Sequence, residues 1–218
     1  MKSRFKLKKE RKKQKKNLIK WYESTAEKYD SWDDKENYSE EMETIEKLLD
    51  IKKDEKLLDV ATGTGNYLIM AAKKGAICYG IDITPKIIKV AQEKVKKLGI
   101  QNVRQIKIGD AQNLDYEDNF FDWVLCIGML EYYSLEVAEK ILREFKRVLK
   151  KDGKLLVDFP DFRNPKAYEF KRKSESVNTD VFIYKTNIVE KMIKVVGFDI
   201  ILTKRAGIEV QFLIQKVK

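Results

Sequence analysis

The sequence predicts a doubly wound α/β fold with a mostly parallel sheet, and two observations support this prediction. Short apolar runs alternate with amphipathic helical segments from about residue 51 onward, which is typical of consecutive strand–helix–strand units. The first apolar run, 57–60, is followed by a turn of small residues, 61–65, and then by a helical segment. A strand, a glycine turn and a helix in this order form a ligand cradle at the carboxyl end of a buried parallel strand.

The later elements follow from the hydrophobic pattern and its punctuation. The predicted strands are 57–60, 76–82, 103–108, 121–127, 154–159, 198–204 and 208–217. The predicted helices between them are 67–74, 85–98, 135–150 and 186–196. The last two strands read as an antiparallel hairpin, so we expect a Rossmann-like sheet of seven strands with an antiparallel last strand. The polar stretch 160–180 contains two prolines and is predicted as a loop or insertion on the substrate side.

An aromatic segment precedes this domain, which we place at 51–218. Apolar residues recur at helical spacing between Leu18 and Tyr29, and a second helix is expected from an N-cap at Ser39 to Leu49. We call residues 17–50 the N-terminal cap. Its first half carries four large aromatic residues: Trp21, Tyr22, Tyr29 and Trp32. Two interpretations stay open for them, a helical lid over a bound ligand and plain packing on the core.

The positive charge of the chain is local. The net charge is +10, and residues 1–20 hold eleven Lys or Arg and one acid, Glu10, so the remainder is formally neutral. We therefore predict a basic tail at 1–16, either solvated and partly frayed or attached to RNA or an anionic membrane surface.

Several classes of protein are disfavoured by composition. The chain has no histidine, which removes the usual general base near neutral pH and the commonest transition-metal ligand. Its two cysteines, Cys78 and Cys126, lie in separate predicted strands, so neither a zinc site nor a disulfide framework is expected. No apolar run has the length of a transmembrane helix and no signal peptide is visible, so a cytoplasmic location is expected.

The glycine turn predicts a nucleoside site. A dinucleotide fingerprint requires a third glycine three residues after Gly65, and Leu68 stands there, which counts against a nicotinamide or flavin enzyme. The second predicted strand ends in an acid, Asp82, about twenty residues after the turn, where a carboxylate can accept hydrogen bonds from both hydroxyls of a ribose.

Five motifs together carry a resemblance to a known family. They are Leu58-Asp59-Val60-Ala61-Thr62-Gly63-Thr64-Gly65, Gly80-Ile81-Asp82, Gly109-Asp110-Ala111, Phe121-Asp122-Trp123-Val124 and the segment 142–153. In this order they resemble the class I S-adenosylmethionine-dependent methyltransferases, most of all the small-molecule branch that contains the quinone methyltransferases. The segment Ala26-Glu27-Lys28-Tyr29-Asp30 resembles the Ala-x-x-Tyr-Asp segment that many of these enzymes fold over the cofactor.

The resemblance implies S-adenosyl-L-methionine as cofactor, S-adenosyl-L-homocysteine as product and no metal. It places the methionyl part beside Gly63 and Gly65, the ribose at Asp82 and the adenine at Asp110. Asp59 is expected to orient the turn or the cofactor's amino group. The other residues that it implies in cofactor binding are Ala61, Ile83, Ala111 through its amide, Cys126 with Ile127 through backbone carbonyls, and Tyr29.

The acceptor end differs from the family. Many relatives carry a histidine pair after the fourth strand, where this chain has Glu131-Tyr132-Tyr133. Glu131 and Tyr132 are our candidate catalytic residues, and Tyr29 is predicted to contact the methionyl group or the transferring methyl. The leading interpretation is in-line methyl transfer to a small-molecule acceptor. The alternatives are an RNA methyltransferase that uses the basic tail, and a non-catalytic module that binds the cofactor; the acceptor and the oligomeric state stay open.

Overall fold

The computed structural model describes the backbone of residues 2–31 and 35–217, and the side chains of residues 12–30 and 39–217. Within these residues one sheet contains β1 (Lys56–Val60), β2 (Ile77–Asp82), β3 (Val103–Ile108), β4 (Phe121–Cys126), β5 (Leu149–Pro160), β6 (Phe198–Ala206) and β7 (Glu209–Lys216). The helices are α1 (Lys2–Thr25), α2 (Lys35–Leu48), α3 (Asn66–Lys73), α4 (Pro85–Lys97), α5 (Leu135–Val148), α6 (Pro165–Ser176) and α7 (Thr186–Val196). Two 3₁₀ helices lie at Ala26–Ser31 and Leu130–Tyr132.

The strand order β3-β2-β1-β4-β5-β7-β6 confirms the predicted fold. β1 to β5 pair in parallel, whereas β7 runs antiparallel between β5 and β6. β1 lies between β2 and β4, so the strand order reverses beside it. In open α/β sheets a ligand crevice forms at the carboxyl ends of the strands at this reversal point.

Helices cover both faces of the sheet. On one face, Phe145 of α5 and Ile193 of α7 belong to one buried apolar cluster. On the other face, Ile45 of α2, Leu68 of α3 and Ala91 of α4 belong to a second. Because the middle of β1, β4 and β5 is covered on both faces, most residues there are apolar, and the buried polar groups among them, Asp59 and Asp158, are therefore informative.

Proline and glycine residues explain where α4 begins and where α7 ends. Pro85 occupies the first turn of α4 directly after Thr84, where its fixed φ suits a helix and its missing N–H costs no hydrogen bond. Gly197 ends α7 in the left-handed conformation at φ 91°, which glycine adopts without Cβ strain.

The N-terminal region differs from the prediction. Residues 2–16 of the predicted tail and the start of the cap lie in one continuous helix, α1. The low apolar content of residues 1–16 hid this helix; among its described side chains, Leu18 is buried. α2 begins at Lys35, before the predicted N-cap Ser39.

The stretch 160–180 is not an irregular loop, because α6 occupies its centre. Asn164 caps this helix by accepting a hydrogen bond from the Lys166 N–H at 3.0 Å, and Pro165 opens it. The helix buries only Ala167 and Ser174, so its sequence has no apolar stripe from which a helix could be predicted.

Trp32, the fourth aromatic residue of the predicted lid, lies outside the described residues. In the described part of the chain, no helix combines the length and apolar character needed to cross a membrane. The same residues contain no group of three or more Asp, Glu or Cys arranged to hold a metal ion.

Candidate active site

The turn after β1 is built from residues in the left-handed region. Ala61 has φ 59°, Gly63 φ 53° and Gly65 φ 84°. A Cβ on Gly65 would lie 3.4 Å from the Ala91 Cβ, so this glycine lets α3 pack closely on α4. A Cβ on Gly63 would meet only the Ala61 carbonyl at 4.0 Å, because Gly63 faces open space. Gly63 therefore faces the ligand side, and Gly65 serves helix packing.

An open cleft lies above this turn. Its walls come from the carboxyl ends of four strands: Val60, Ala61 and Gly63 after β1, residues 81–84 after β2, residues 109–111 after β3, and residues 127–129 after β4. Three residues cover it: Leu18 and Tyr22 of α1, and Tyr29 of the 3₁₀ helix that follows. We call α1 and this 3₁₀ helix the N-terminal segment. The structure thus brings together the predicted residues Ala61, Gly63, Asp82, Ile83, Asp110, Ala111, Tyr29 and Tyr132.

Asp82 joins two of these walls. Its Oδ2 accepts a hydrogen bond from the Gly63 N–H at 3.2 Å and its Oδ1 accepts one from the Thr84 N–H at 2.8 Å. Burial raises the pKa of Asp82, and these backbone hydrogen bonds act in the opposite direction. Each carboxylate oxygen keeps a second lone pair, which leaves acceptor capacity for two ligand hydroxyls.

Asp110 lies across the cleft from Asp82, and Gln112 and Lys15 contact its carboxylate. Its Oδ1 accepts a hydrogen bond from the Gln112 N–H at 3.0 Å. Its Oδ2 forms an ion pair with Lys15 Nζ at 2.8 Å. The last part of the predicted basic tail therefore contacts the predicted adenine subsite.

Asp59 and Cys126 lie outside the cleft wall. Asp59 is buried behind the turn, where its Oδ2 accepts a hydrogen bond from Thr62 Oγ1 at 2.7 Å. Burial raises its pKa to about 7, although the hydrogen bond from Thr62 opposes this shift. This contact matches the expected role in orienting the turn. Cys126 packs in the core, and the wall after β4 begins one residue later, at Ile127.

Tyrosine side chains form the roof and one side of the cleft. The Tyr22 and Tyr132 hydroxyls are 3.3 Å apart, and the Tyr22 ring centroid lies 5.9 Å from that of Tyr29. Burial raises the pKa of Tyr22 and of Tyr132, so both phenols are neutral at physiological pH. The site therefore presents aromatic surface with hydroxyl hydrogen-bonding groups.

Asp30 attaches the N-terminal segment to the glycine turn. Its carboxylate accepts hydrogen bonds from Thr64 Oγ1 at 2.6 Å and from Asn66 Nδ2 at 3.1 Å, and it pairs with Lys94 Nζ at 2.5 Å. The resemblance includes Asp30 in the Ala-x-x-Tyr-Asp segment, but it predicts no role for this residue. The acid next to the predicted contact residue, Tyr29, was the available signal.

Glu131 does not line the cleft, although Tyr132 does. The side chain of Glu131 is 3% exposed, and burial raises its pKa to about 8. Its backbone carbonyl accepts a hydrogen bond from the Phe182 N–H at 2.7 Å, which fixes the 3₁₀ helix against the segment after α6. Glu131 thus stands behind the tyrosine wall, on the side of β5.

Sequence reasoning missed part of the wall. Gly128 and Met129 line the cleft after β4, and Gly128 has φ 68° with open space where a Cβ would stand. A glycine directly after a predicted strand end was the signal for this turn. Thr84 and Ile87 complete the wall at the start of α4.

Comparisons with known proteins agree with this geometry. A family model described as a methyltransferase domain matches residues 51–197. The chain is 29% identical over 181 residues to the uncharacterized protein MJ1123 of Methanocaldococcus jannaschii, covering 81% of this chain and 80% of that protein. It is 38% identical over 98 residues to norajmaline N-methyltransferase of Rauvolfia serpentina, covering 44% of this chain and only 33% of that enzyme.

Solved structures share the fold. Magnesium protoporphyrin IX methyltransferase from Synechocystis PCC 6803, solved with bound S-adenosylhomocysteine, superposes with a TM-score of 0.68 at 19% identity, covering 83% of this chain and 84% of that chain.

Proposed function

Because this chain belongs to the class I S-adenosylmethionine-dependent methyltransferases, we propose that it transfers the methyl group of S-adenosylmethionine to a small organic molecule by in-line displacement. The observation that carries the proposal is the cleft itself, where Asp82, Asp110 and the open Gly63 turn meet beneath the aromatic cover. A nucleoside fits these two acids, since carboxylates accept hydrogen bonds from ribose hydroxyls and from an adenine amino group.

The residues of the cleft would act mainly by positioning. When bound, the cofactor supplies an electrophilic methyl group on a sulfonium. Asp82 would hold the ribose, Asp110 and the Ala111 amide the adenine, and Gly63 would let the backbone approach the methionyl part. Holding two reactants in line can lower a barrier by about 7–11 kcal/mol.

The tyrosines would exclude water and face the positive charge. Tyr22, Tyr29 and Tyr132 present aromatic surface to the cleft, and such surface attracts a cation. Closure of a site over its reactants strengthens its electrostatic interactions and prevents side reactions with water. We assign Tyr29 and Tyr132 to the reacting end, with Glu131 behind Tyr132, where its ionised form would accept a proton; because burial raises its pKa to about 8, this form is the minor one at neutral pH.

Calorimetry with S-adenosylmethionine tests the cofactor site. Asp82→Ala removes the carboxylate that we assign to the ribose, and we expect affinity to fall by tenfold or more, as for loss of hydrogen bonds to a charged group. Asp115→Ala, which removes an exposed acid in an ion pair with Lys107, is the matched control and should leave affinity unchanged. Equal binding by Asp82→Ala, or no binding by the wild-type protein at high micromolar cofactor, contradicts the proposal.

A labelled methyl group tests the acceptor class. The protein is incubated with methyl-labelled cofactor and a metabolite extract, and the products are identified by mass spectrometry. Label in small molecules supports the proposal. Label only in added RNA, or no turnover with any acceptor, favours one of the two alternative functions.

A further inference from the structure

A second polar region lies beside the cofactor cleft, at the carboxyl edge of β4, β5 and β7. It contains four acids from four different elements: Glu41 of α2, Glu131 after β4, Asp158 of β5 and Glu209 of β7. We call these four residues the acidic layer. Glu131, Asp158 and Glu209 are 3%, 1% and 5% exposed, so they do not form a solvated surface patch.

Strand register places Asp158 and Glu209 on one face of the sheet. Leu156 of β5 pairs with Leu213 of β7, and the next pair toward the carboxyl end of β5 on the same face is Asp158 with Gln211. Both leucines belong to the apolar cluster beneath α2. Side chains two residues apart share a face of a strand, so the apolar core turns polar there. The acidic layer is the upper end of that core.

Buried polar atoms in this region have no partner within the described residues. They are Glu131 Oε2, Asp158 Oδ2, Glu209 Oε2 and both amide atoms of Gln211. Gln211 is 0% exposed and carries no charge, so it is an observation independent of the acids. Since buried polar groups in native proteins nearly always have a partner, this set indicates a missing ligand with hydrogen-bond donors.

The electrostatics indicate the charge of that ligand. After burial, the largest effects that raise the pKa of Glu209 are the negative charges of Asp158, Glu131 and Glu41. Asp161, an acid nearby, is already paired with Arg205 at 2.9 Å. Two of the four acids have a hydrogen-bond donor among the described residues: Glu41 accepts from the Tyr67 hydroxyl, and Asp158 accepts through Oδ1 only. Burial and the neighbouring acids raise the pKa of Glu131, Asp158 and Glu209, and a bound cation would favour the ionised forms of these carboxyl groups.

The layer adjoins the reacting end of the cleft. Glu131 is adjacent in sequence to Tyr132, which lines the cleft, and the charge of Glu131 acts on both Tyr22 and Tyr132. Asp158 reaches the same turn, because its Oδ1 accepts a hydrogen bond from the Gly128 N–H at 2.9 Å. Carboxyl groups behind a wall of tyrosines suit an organic cation, which is attracted by both.

We propose that the methyl acceptor is an organic amine, bound as an ammonium ion between the tyrosines and the acidic layer. This inference rests on the proposed methyl transfer. The ammonium nitrogen would pass one proton to a carboxylate of the layer and then use its freed lone pair to form the N–C bond. The S–C bond breaks with its electron pair going to sulfur, which leaves the methylated ammonium and S-adenosylhomocysteine, and the proton passes from the carboxylate to solvent.

Binding of matched amines and alcohols tests this inference. The protein is saturated with S-adenosylhomocysteine, and calorimetry measures the affinity for tryptamine, benzylamine and cyclohexylamine, each against the alcohol of the same skeleton. We expect at least one amine to bind about tenfold or more tightly than its alcohol. We expect methyl-labelled cofactor to give a product with the label on nitrogen.

Two variants link the binding to the acidic layer. Asp158→Asn keeps an oxygen that can accept from the Gly128 N–H, and Glu209→Gln keeps the shape of the side chain. Each should weaken amine binding about tenfold and leave S-adenosylhomocysteine affinity within about twofold, which also shows that the variant is folded. Asp199→Asn, which removes an exposed acid on β6, is the matched control and should bind the amine as the wild type does.

Three results would overturn the inference. They are alcohols that bind as tightly as the amines, amine affinity unchanged in both variants, and no amine binding up to tens of millimolar. If the cofactor still binds and a neutral acceptor is methylated, the proposed methyl transfer stands and the amine class is wrong. If the wild-type protein does not bind the cofactor, methyl transfer itself fails.

Discussion

At the scale of single residues, the site depends on backbone positions that side chains tolerate poorly. Ala61 stands at φ 59° in the turn beneath the cleft, a backbone conformation that glycine adopts without strain. A left-handed conformation costs a residue with a Cβ roughly 1–2 kcal/mol. The turn nevertheless forms, because its neighbours hold it: Asp59 accepts a hydrogen bond from Thr62 Oγ1, and the Thr62 N–H donates to the Ile81 carbonyl at 2.9 Å.

The strain at Ala61 gives the first prediction. Ala61→Gly removes the Cβ from a left-handed position, and we expect the free energy of unfolding to rise by about 0.5–1 kcal/mol, since the flexibility of glycine in the unfolded chain offsets part of the gain. Urea denaturation measures this change. Ala71→Gly, a buried site inside α3, is the control and should destabilise. A loss of stability in Ala61→Gly would mean that the methyl group contributes packing that outweighs the strain.

Glu131 gives a prediction on pH. Its pKa in the folded protein is about 8 because of burial, against about 4.3 in an unfolded chain. Between these values the folded state keeps a proton that the unfolded state releases, so stability falls as the pH rises through this window. Glu131→Gln removes this dependence. We expect its free energy of unfolding, relative to wild type, to improve by about 1 kcal/mol or more between pH 5 and pH 8.

The same variant separates stability from function. We expect Glu131→Gln to lower turnover more than cofactor affinity, because the amide cannot accept a proton. Glu43→Gln, which changes an exposed acid paired with Lys47 on α2, is the control for both measurements. An unchanged rate removes Glu131 from the mechanism, and an unchanged pH dependence of unfolding means that the acid is not protonated in the fold.

At the scale of elements, the N-terminal segment is attached to the domain at both ends of the cleft. Lys15 pairs with Asp110 at one end, and Asp30 binds the glycine turn and Lys94 at the other. Burial alone would raise the pKa of Asp30, but its hydrogen bonds from Lys94 and Thr64 outweigh burial and lower it. These contacts join the cover of the cleft to the loops assigned to the cofactor.

Asp30→Asn tests this attachment. The amide loses the charge that pairs with Lys94, and we expect the dissociation constant for S-adenosylmethionine to rise about three- to tenfold, as for a partly buried ion pair. Glu27→Gln breaks a more exposed pair with Lys86 and should change the affinity less than about twofold. Equal effects of the two variants would show that the contact of Asp30 with the turn has no special role.

Hydrogen exchange tests whether the N-terminal segment acts as a lid. A lid opens and closes over its site, so residues 17–31 should gain protection when the cofactor binds. Asp30→Asn should exchange faster there without cofactor, whereas residues of α5 serve as the internal reference. Protection that is the same with and without cofactor would mean that this segment is static packing.

At the scale of the whole molecule, removing part of the basic N-terminal end tests whether the acceptor is a small molecule or RNA. Lys15 is already paired within the chain, so a test of the tail must keep it. Removal of residues 1–11 leaves the contacts of Gln14 and Lys15 in place. We expect this truncated protein to keep wild-type turnover on small molecules. Loss of turnover, together with loss of a salt-dependent affinity for RNA, would favour the RNA alternative.

The sequence by itself determined the sheet and most of the cleft wall that we assign to the cofactor. Buried parallel strands are continuous apolar runs, and left-handed turns require small residues, so both leave local signals. The glycine turn, Asp82 and Asp110 were found because each directly follows a strand, and parallel strands bring their carboxyl ends to one edge. The fourth strand was predicted to end at Ile127 and β4 ends at Cys126, since pattern alone fixes a strand end only within a few residues.

Only the tertiary structure decided what surrounds that core. The basic first part of α1, residues 2–16, and α6 have almost no apolar stripe in their sequences, so hydrophobic periodicity could not predict these helices. The pairing of Lys15 with Asp110 joins residues that are far apart in the chain. The acidic layer depends on β7 running antiparallel beside β5, which sets Gln211 opposite Asp158. Such long-range contacts have no local periodicity in the sequence. Whether an acid is buried, and so indicates a binding site, or is exposed to solvent is therefore decided only by the tertiary structure.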